Sequence, residues 1–197
     1  MSRKGTLFVV TGPSGAGKGT VLSKVFESTD HLYFSVSATT RAPREGEADG
    51  VHYHFITREA FEALIENDRL LEYAEYVNNY YGTPLAPVEE HLAQGDDVVL
   101  EIEIQGARKV KARRPDAALV FIAPPSFEEL ENRLRGRGTE GEETILRRME
   151  TARRECAGME DFEYIVLNDR VEDAACELKS IITAHRCRRE NRDFTLN

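Results

Sequence analysis

Residues 6–19 read Thr-Leu-Phe-Val-Val-Thr-Gly-Pro-Ser-Gly-Ala-Gly-Lys-Gly, and this stretch decides the fold. The apolar run at 6–10 is typical of a buried strand, and the pattern at 18–27 predicts a helix. The residues between them have the spacing of a P-loop, whose glycines let backbone N–H groups point inward at phosphate oxygens. A strand before the loop and a helix after it are the context in which this motif binds phosphate.

The loop supplies a set of candidate phosphate ligands: Gly12, Pro13, Ser14, Gly15, Ala16, Gly17, Lys18, Gly19 and Thr20. Lys18 is placed to reach the β- and γ-phosphates, which makes it a candidate catalytic residue. Gly19 stands where many P-loops have a Ser or Thr hydroxyl that binds magnesium, and the hydroxyl of Thr20 is expected to face elsewhere. The N-K-x-D and D-x-x-G motifs of GTPases are absent, which leaves ATPases and small kinases.

Composition and charge exclude several classes of protein. The chain has 197 residues, enough for one domain with inserted lobes, and 41% of them are apolar. A net charge of −9 argues against a protein that coats nucleic acid, because the polymer would repel it. The longest apolar run, 117–123, is far shorter than a membrane span, no secretory signal is visible, and the three cysteines lack C-x-x-C spacing. We expect a cytoplasmic protein without nucleic-acid or membrane partners, and the sequence leaves its oligomeric state open.

Short apolar segments alternate with helical stripes along the rest of the chain, which predicts a parallel sheet with helical crossovers. Strands are predicted at 33–38, 70–77, 98–104, 118–122 and 164–167. Helices are predicted at 58–66 after a Thr57 cap, 84–93, 106–113, 126–136 from a Ser126 capping box, 142–156 and 172–189. Two segments break the alternation: 34–84 is rich in strands, tyrosines and glycines, and 133–155 is rich in arginines.

The strand-rich segment carries candidate ligands for a second phosphate and for a base. Arg41 and Arg44 flank a proline, and two guanidinium forks can hold a phosphate dianion to which Tyr53 donates its hydroxyl. Glu72 precedes an Asn-Tyr-Tyr-Gly-Thr run, although taken alone it would be an ordinary solvated strand residue.

Two further carboxylates, Glu101 and Glu103, lie at the carboxyl end of the strand predicted at 98–104, where parallel sheets place their ligands. The period of two puts both on one face of the predicted strand. Two like charges facing together are unfavourable unless a cation or hydrogen-bond donors lie between them. Glu101 is therefore the candidate acidic partner of a magnesium ion, through a water molecule.

Together these motifs resemble those of the guanylate kinase family along nearly the whole chain. The specific ones are S-x-T-T-R-x-P-R-x-G-E at 37–47, N-Y-Y-G-T at 79–83, Q-G-A at 105–107, F-I-A-P-P-S at 121–126 and G-R-G-T-E at 136–140. The resemblance implies one α/β domain with a three-layer P-loop core and parallel sheet (1–33, 84–125 and 156–197). It also implies an inserted mixed-β GMP-binding lobe (about 34–83) and a helical lid (about 126–155). The implied reaction transfers the γ-phosphate of ATP, with Mg²⁺, to GMP or dGMP, giving ADP and the diphosphate in purine nucleotide recycling.

The resemblance also assigns roles to single residues. It assigns ATP binding to the P-loop set and to Asn168 near the adenine. It assigns GMP binding to Ser37, Arg41, Arg44, Glu47, Tyr53, Glu72, Tyr81, Thr83 and Glu103. It assigns contact with the transferring phosphates to Lys18, Arg133, Arg137 and Arg148. Where the family often has Asp-x-Asp, this chain has Glu101-Ile-Glu103.

Base chemistry supports the role of Glu72 independently of the resemblance. Guanine offers N1–H and an amine as donors and O6 as an acceptor, so one carboxylate accepts twice while the hydroxyls of Ser37 and Thr83 serve O6. Because the attacking group is already a phosphate oxygen, no catalytic base is expected.

Two alternatives stand beside this function. One is a small kinase for AMP, UMP or TMP, against which Glu72 and the paired hydroxyls argue. The other is a non-catalytic guanylate-kinase-like module that binds proteins, against which Lys18 and the lid arginines argue.

Overall fold

The computed structural model of the protein describes residues 3–136, 138 and 141–192. The strands are β1 Leu7–Thr11, β2 Leu32–Phe34, β3 Ala38–Thr39, β4 His54–Phe55, β5 Leu70–Tyr76, β6 Asn79–Pro84, β7 Asp97–Glu101, β8 Ala118–Ala123 and β9 Tyr164–Leu167. The α-helices are α1 Lys18–Phe26, α2 Arg58–Glu66, α3 Leu85–Gln94, α4 Ile104–Arg113, α5 Phe127–Gly136, α6 Glu142–Ala157 and α7 Val171–Arg186. None of these described helices is long and apolar enough to cross a membrane.

A five-stranded parallel sheet in the order β2-β7-β1-β8-β9 forms the centre of the molecule, which confirms the predicted fold class. Alternate side chains of β1 enter different cores because successive residues of a strand point to opposite faces. Leu7 and Val9 pack with α3 and α4, whereas Phe8 and Val10 pack with α1 and α7. Helices cover both faces, so the central strands are apolar throughout.

A second sheet, in the order β4-β3-β6-β5, lies within residues 38–84. Its strands β5 and β6 form an antiparallel hairpin, and β3 pairs antiparallel with β6 and parallel with β4. Helix α2 packs on this sheet through Phe61, which is completely buried and belongs to one apolar cluster with Ala38 and Leu70. The Thr57 hydroxyl accepts a hydrogen bond from the Ala60 N–H at 3.2 Å, which confirms the predicted cap.

Helices α5 and α6 form a separate helical pair. They share a small core of their own, made of Leu130, Leu134, Ile145, Met149 and Ala152. The Ser126 hydroxyl accepts the Glu129 N–H at 3.0 Å, which is one half of the predicted capping box. The Glu129 carboxylate instead accepts from Arg133 Nε at 2.9 Å, because one helical turn brings the two side chains together.

Two strand predictions were wrong in their extent. The strand predicted at 33–38 is two strands in different sheets, because β2 pairs with β7 and β3 pairs with β6. The strand predicted at 98–104 ends at Glu101, and α4 begins at Ile104 rather than at 106. Glu103 is therefore the extended N-cap residue of α4 and not a strand residue. The strand β6 had no separate prediction, since its Asn-Tyr-Tyr-Gly-Thr-Pro sequence lacks an apolar alternation.

Candidate active site

The P-loop connects the carboxyl end of β1 to the first turn of α1. Gly12, Gly15 and Gly17 all have positive φ angles, of 149°, 95° and 87°. A Cβ atom at Gly12 would lie 2.2 Å from the Ile122 carbonyl oxygen, and one at Gly17 would lie 2.4 Å from Asn168 Nδ2. Glycine is thus required there both by the backbone conformation and by the closeness of the neighbours.

Lys18 lies folded over the loop that precedes it. Its Nζ donates to the Gly12 carbonyl at 2.8 Å and to the Pro13 carbonyl at 3.4 Å, and it lies 4.0 Å from Glu101 Oε1. The ammonium is therefore at the carboxyl edge of the sheet, beside the loop that would hold phosphates. Anionic phosphate oxygens accept hydrogen bonds from an ammonium group more strongly than these neutral carbonyl oxygens do.

A cavity of about 380 Å³ opens between the P-loop, the second sheet and the end of α6. It brings together side chains that are far apart in the sequence, at the edge where parallel sheets place their ligands. Of the residues predicted for the site, Gly12, Ser14, Lys18, Ser37, Tyr53, Glu72, Tyr81, Glu101 and Glu103 line it. Its lining does not include Arg41, Arg44, Glu47, Thr83, Arg133, Arg148 or Asn168, nor the P-loop residues Pro13, Gly15, Ala16, Gly17, Gly19 and Thr20.

One corner of the site is built around Arg41. Its two terminal nitrogens each donate to Glu47 at 2.9 Å, and its guanidinium lies 5.5 Å from the centre of the Tyr53 ring. Hydrogen bonds to Glu47 and Tyr81 raise the pKa of Arg41. Arg41 and the Arg44 N–H in turn hold the pKa of Glu47 at about 2. Glu47 therefore fixes the orientation of the Arg41 guanidinium beside the Tyr53 ring.

The opposite corner is built around Glu72, on β5. This carboxylate is only 8% exposed, and its Oε1 accepts the Thr83 hydroxyl at 2.8 Å. Burial raises the pKa of Glu72, while the Thr83 hydrogen bond and the Lys109 charge act in the opposite direction. The Thr83 hydroxyl, predicted to serve guanine O6 together with Ser37, instead donates its hydrogen to Glu72, and Ser37 is the one of the two that lines the cavity.

Sequence reasoning missed a third carboxylate beside Glu101 and Glu103. Glu155 of α6 also lines the cavity, and its Oε2 is buried without a hydrogen-bond partner among the described residues. Burial is the main cause that raises the pKa of Glu155. Helical spacing in the sequence could have indicated Glu155, because it lies seven residues after Arg148 and therefore on the same face of α6. Both face the P-loop, where Arg148 donates to the Ser14 hydroxyl at 2.5 Å.

The other predicted residues are the lid arginines and Asn168. Arg133 contacts Glu129 of its own helix and the Asp169 carbonyl at 3.4 Å. Arg137 lies outside the described residues. Asn168 is buried behind the P-loop, where its Nδ2 donates to the Ala16 carbonyl at 2.7 Å. Its Oδ1 is buried and finds no partner within the described part of the chain.

The donor set suits a magnesium ion that arrives with a nucleotide. In residues 3–136, 138 and 141–192 no three His, Cys, Asp or Glu side chains are arranged to hold a metal. Gly19 is exposed, and a side chain there would meet nothing within 4 Å. Glu101 is the half-buried carboxylate beside Lys18, and Mg²⁺ commonly takes one carboxylate, several waters and the phosphates of its ligand.

Comparison with known proteins agrees with this geometry. A sequence model described as guanylate kinase matches residues 4–185. A guanylate kinase of Halalkalibacterium halodurans is 53% identical over 187 residues, which cover 95% of this chain and 92% of that protein. One of Streptococcus thermophilus is 54% identical over 191 residues, with 96% and 91% covered. The crystal structure of guanylate kinase from Anaplasma phagocytophilum superimposes with a TM-score of 0.79 at 32% identity, covering 96% of this chain and 90% of that one. The chain belongs to the guanylate kinase family.

Proposed function

We propose that this protein is an ATP:GMP phosphotransferase, which converts GMP or dGMP and ATP into the diphosphate and ADP. The observation that carries the proposal is that one cavity holds both the P-loop lysine, Lys18, and the buried carboxylate of Glu72. A P-loop alone is common to many nucleotide enzymes, whereas a buried carboxylate opposite it selects a base with two adjacent donors. The names of the relatives at above 50% identity support the same activity.

In this function the acceptor nucleotide lies between the two corners of the second sheet. Glu72 accepts from guanine N1–H and the exocyclic amine, Ser37 donates to O6, and Thr83 orients Glu72. The phosphate is held by the guanidinium groups and the tyrosine hydroxyls, and Glu103 lies near the base. The complete proposed GMP set is Ser37, Arg41, Arg44, Glu47, Tyr53, Glu72, Tyr81, Thr83 and Glu103.

The donor nucleotide lies with its phosphates in the P-loop and its adenine toward Asn168. Lys18 moves from the Gly12 carbonyl to the β- and γ-phosphates, which brings a positive charge to the transferring group. Arg133, Arg137 and Arg148 add further positive charge when the lid, residues 126–155, closes and excludes water. Glu101 would hold a water molecule of a magnesium ion that binds with the nucleotide, and that ion would supply further positive charge to the phosphates.

The transfer itself needs positioning more than proton chemistry. The GMP phosphate oxygen is already an anion, so no side chain has to remove a proton from it. The residues instead hold two anionic phosphates within reach of each other and stabilise the charge that spreads over the transferring group. We place the core at 1–33, 84–125 and 156–197 and the GMP lobe at about 34–83, and we propose that the enzyme acts in the cytoplasm.

The decisive experiment replaces Glu72 by Gln. The amide keeps the size of the side chain but offers only one acceptor and presents donors to the donors of guanine. We expect kcat/KM for GMP to fall about 100-fold, corresponding to ~2.7 kcal/mol, and the preference over AMP to narrow. The measurement is a coupled assay with GMP, AMP, UMP and TMP on both proteins, with a melting curve for each.

Glu75→Gln provides the matched control, because Glu75 lies on the same strand, is exposed and pairs with Arg58. It is expected to leave the GMP-to-AMP ratio unchanged. A folded Glu72→Gln enzyme with the wild-type ratio would remove Glu72 from base recognition. A wild-type protein without phosphotransfer to any of the four monophosphates would instead favour the protein-binding module.

A further inference from the structure

The first turn of α4 passes directly behind the carboxylate of Glu72. A methyl group at Gly106, the third residue of the helix, would lie 2.9 Å from Glu72 Oε2 and 3.4 Å from its Cδ. It would also lie 3.2 Å from Ile102 Cδ1. Real side-chain carbon atoms do not approach an oxygen so closely, so a side chain at this position would force the neighbouring carboxylate to move.

The backbone itself does not require glycine at position 106. The residue is helical and is not among the glycines with positive φ. In a helix interior, alanine is more favourable than glycine by about 1 kcal/mol. What the missing side chain provides is therefore space for the Glu72 carboxylate and not conformational freedom.

The carboxylate cannot yield without losing its position. On its other side Glu72 Oε1 accepts the Thr83 hydroxyl at 2.8 Å, and the side chain is only 8% exposed. Displacement from α4 would push it off Thr83 or into the cavity where the base binds. The first turn of a helix is also a favourable place for a carboxylate, because its N–H groups lack helical acceptors.

Helix α4 holds the strand that carries Glu72 at a second point. Lys109 Nζ donates to the Tyr73 carbonyl at 2.5 Å and lies 5.5 Å from the centre of the Tyr73 ring. Lys109 also borders a second cavity that Glu72 lines, where Arg113 and Asp68 form an ion pair at 2.7 Å. The charged groups that act on Glu72 from its surroundings are Lys109, which favours the ionised form, and Glu103 at the helix N-cap, which opposes it.

We propose that Gly106 is a specificity-determining positioning residue: its lack of a side chain seats the Glu72 carboxylate between α4 and Thr83, with Lys109 as the second anchor. This inference rests on the proposed function of Glu72 as the guanine reader. It places the determinant of base selection partly in the core helix, outside the lobe that contacts GMP.

The test is Gly106→Ala in the full-length enzyme. We expect KM for GMP to rise about tenfold while kcat changes less than threefold, because a displaced carboxylate weakens recognition and leaves the phosphates in place. KM for ATP is expected to stay within twofold of wild type, and the preference for GMP over AMP to narrow. The melting temperature is expected to stay the same or rise, because the atom that moves is at the end of a side chain and alanine favours the helix. Arg108→Ala is the control on the same helix, since Arg108 is exposed and pairs with Asp161.

A double-mutant cycle with Glu72→Ala separates this inference from the function on which it rests. In the Glu72→Ala background, Gly106→Ala is expected to change kcat/KM for GMP less than twofold, because no carboxylate remains to be displaced. A folded Gly106→Ala enzyme with wild-type kcat/KM for GMP overturns the inference. An equal fall in kcat/KM for GMP and for AMP overturns it too. If Glu72→Ala itself keeps the wild-type GMP-to-AMP ratio, the proposed function fails and the inference falls with it.

Lys109→Met tests the second anchor without adding volume. KM for GMP at pH 6, relative to wild type at the same pH, is expected to rise about threefold and to return toward wild type at pH 8. The reason is that the ionised form of Glu72 loses a nearby positive charge. Lys109→Arg is expected to restore the wild-type profile. If KM for GMP of the Lys109→Met enzyme depends on pH in the same way as that of wild type, Lys109 is no part of the inference. If the Gly106→Ala protein does not fold, the argument that the helix tolerates alanine at this position is wrong.

Discussion

Strand β7 has a carboxylate at each end, and the two have opposite surroundings. Asp97 at its start is inaccessible to solvent and accepts from Arg3 at 2.8 Å, from Arg186 at 2.6 Å and from the Thr6 N–H at 2.9 Å. Glu101 at its end is half-buried, borders the cavity and lies 4.0 Å from Lys18 Nζ. The two ends are about 13 Å apart at the usual rise of a strand.

The difference shows how one sheet divides stability and function between its edges. At the amino edge the protein satisfies its own charge with two arginines and a backbone N–H, so the cluster joins the N-terminal segment, β7 and α7. At the carboxyl edge Lys18, Glu72 and Glu101 line the cavity, and in the proposed function their complement is a phosphate, a base or a metal ion. Removing one partner of a buried, internally paired charge lowers the free energy of unfolding, whereas removing a charge that lines the cavity is expected to lower binding or catalysis.

The largest effect is expected from Asp97→Ala. It leaves Arg3 and Arg186 without their shared acceptor, and breaking a buried ion pair in this way costs about 3 kcal/mol. Denaturant unfolding measures the loss, and kcat per folded molecule is expected to remain that of wild type. Asp116→Ala is the control, because Asp116 is half-exposed and its pairs with Arg114 and Lys4 lie at the surface. Equal destabilisation by both variants would contradict the special role of the Asp97 cluster.

Lys18→Ala is expected to lower activity and leave stability nearly unchanged, the reverse of Asp97→Ala. Loss of the ammonium is expected to lower kcat about 100-fold, because an electrostatic stabiliser of the transferring phosphate is removed. The melting temperature is expected to change little. Steady-state kinetics and a melting curve measure both quantities, with Lys24→Ala as a control on the same helix, since Lys24 faces Glu172 at the surface. A normal kcat in the Lys18→Ala enzyme would exclude this lysine from the mechanism.

A smaller effect is expected at the amino edge from His185. Its side chain is 2% exposed, packs on Phe8 and lies 3.0 Å from the Tyr164 hydroxyl, and burial lowers its pKa. The unfolded chain therefore binds a proton near pH 6.5 that the folded protein does not, so stability is complete above that pH and declines as the pH falls further.

We expect the loss in the free energy of unfolding between pH 7.5 and 5.5 to be about 1 kcal/mol smaller in His185→Gln than in wild type. Unfolding curves at the two pH values measure it. His52→Gln, which replaces an exposed histidine in the turn before β4, provides the comparison. Equal pH dependence in all three proteins would show that His185 does not couple protonation to folding.

The smallest effect is expected from Glu101→Ala. If Glu101 holds a magnesium-bound water, the Mg²⁺ concentration for half-maximal rate is expected to rise about threefold with little change in stability. Calorimetry of ADP binding with and without Mg²⁺ provides a readout independent of turnover. Glu66→Ala, at an exposed position of α2, controls for loss of a carboxylate. An unaltered Mg²⁺ dependence would make Glu101 a structural residue, like Asp97 at the other end of the strand.

Local patterns predicted most of the elements correctly. The helix expected at 58–66 begins and ends at those residues, and the one expected at 18–27 is Lys18–Phe26. The errors lie where neighbours in space override the local pattern. The alternating pattern at 33–38 predicts one strand, yet β7 pairs with its first part and β6 with its last. No periodicity within the stretch contains that division.

The sequence by itself determined the phosphate loop, because glycine spacing, lysine, strand and helix are local properties of a dozen residues. It also determined the candidates for the base and phosphate ligands through motifs of short span. Only the tertiary structure decided which of them meet. Glu72 rests against Gly106, and Glu155 reaches the P-loop. Asp97 binds both Arg3 and Arg186, each of which is about half the chain away from it in sequence. These contacts depend on the order of strands in the sheet, and that order is set by the burial of the two apolar faces, which no single segment can achieve alone.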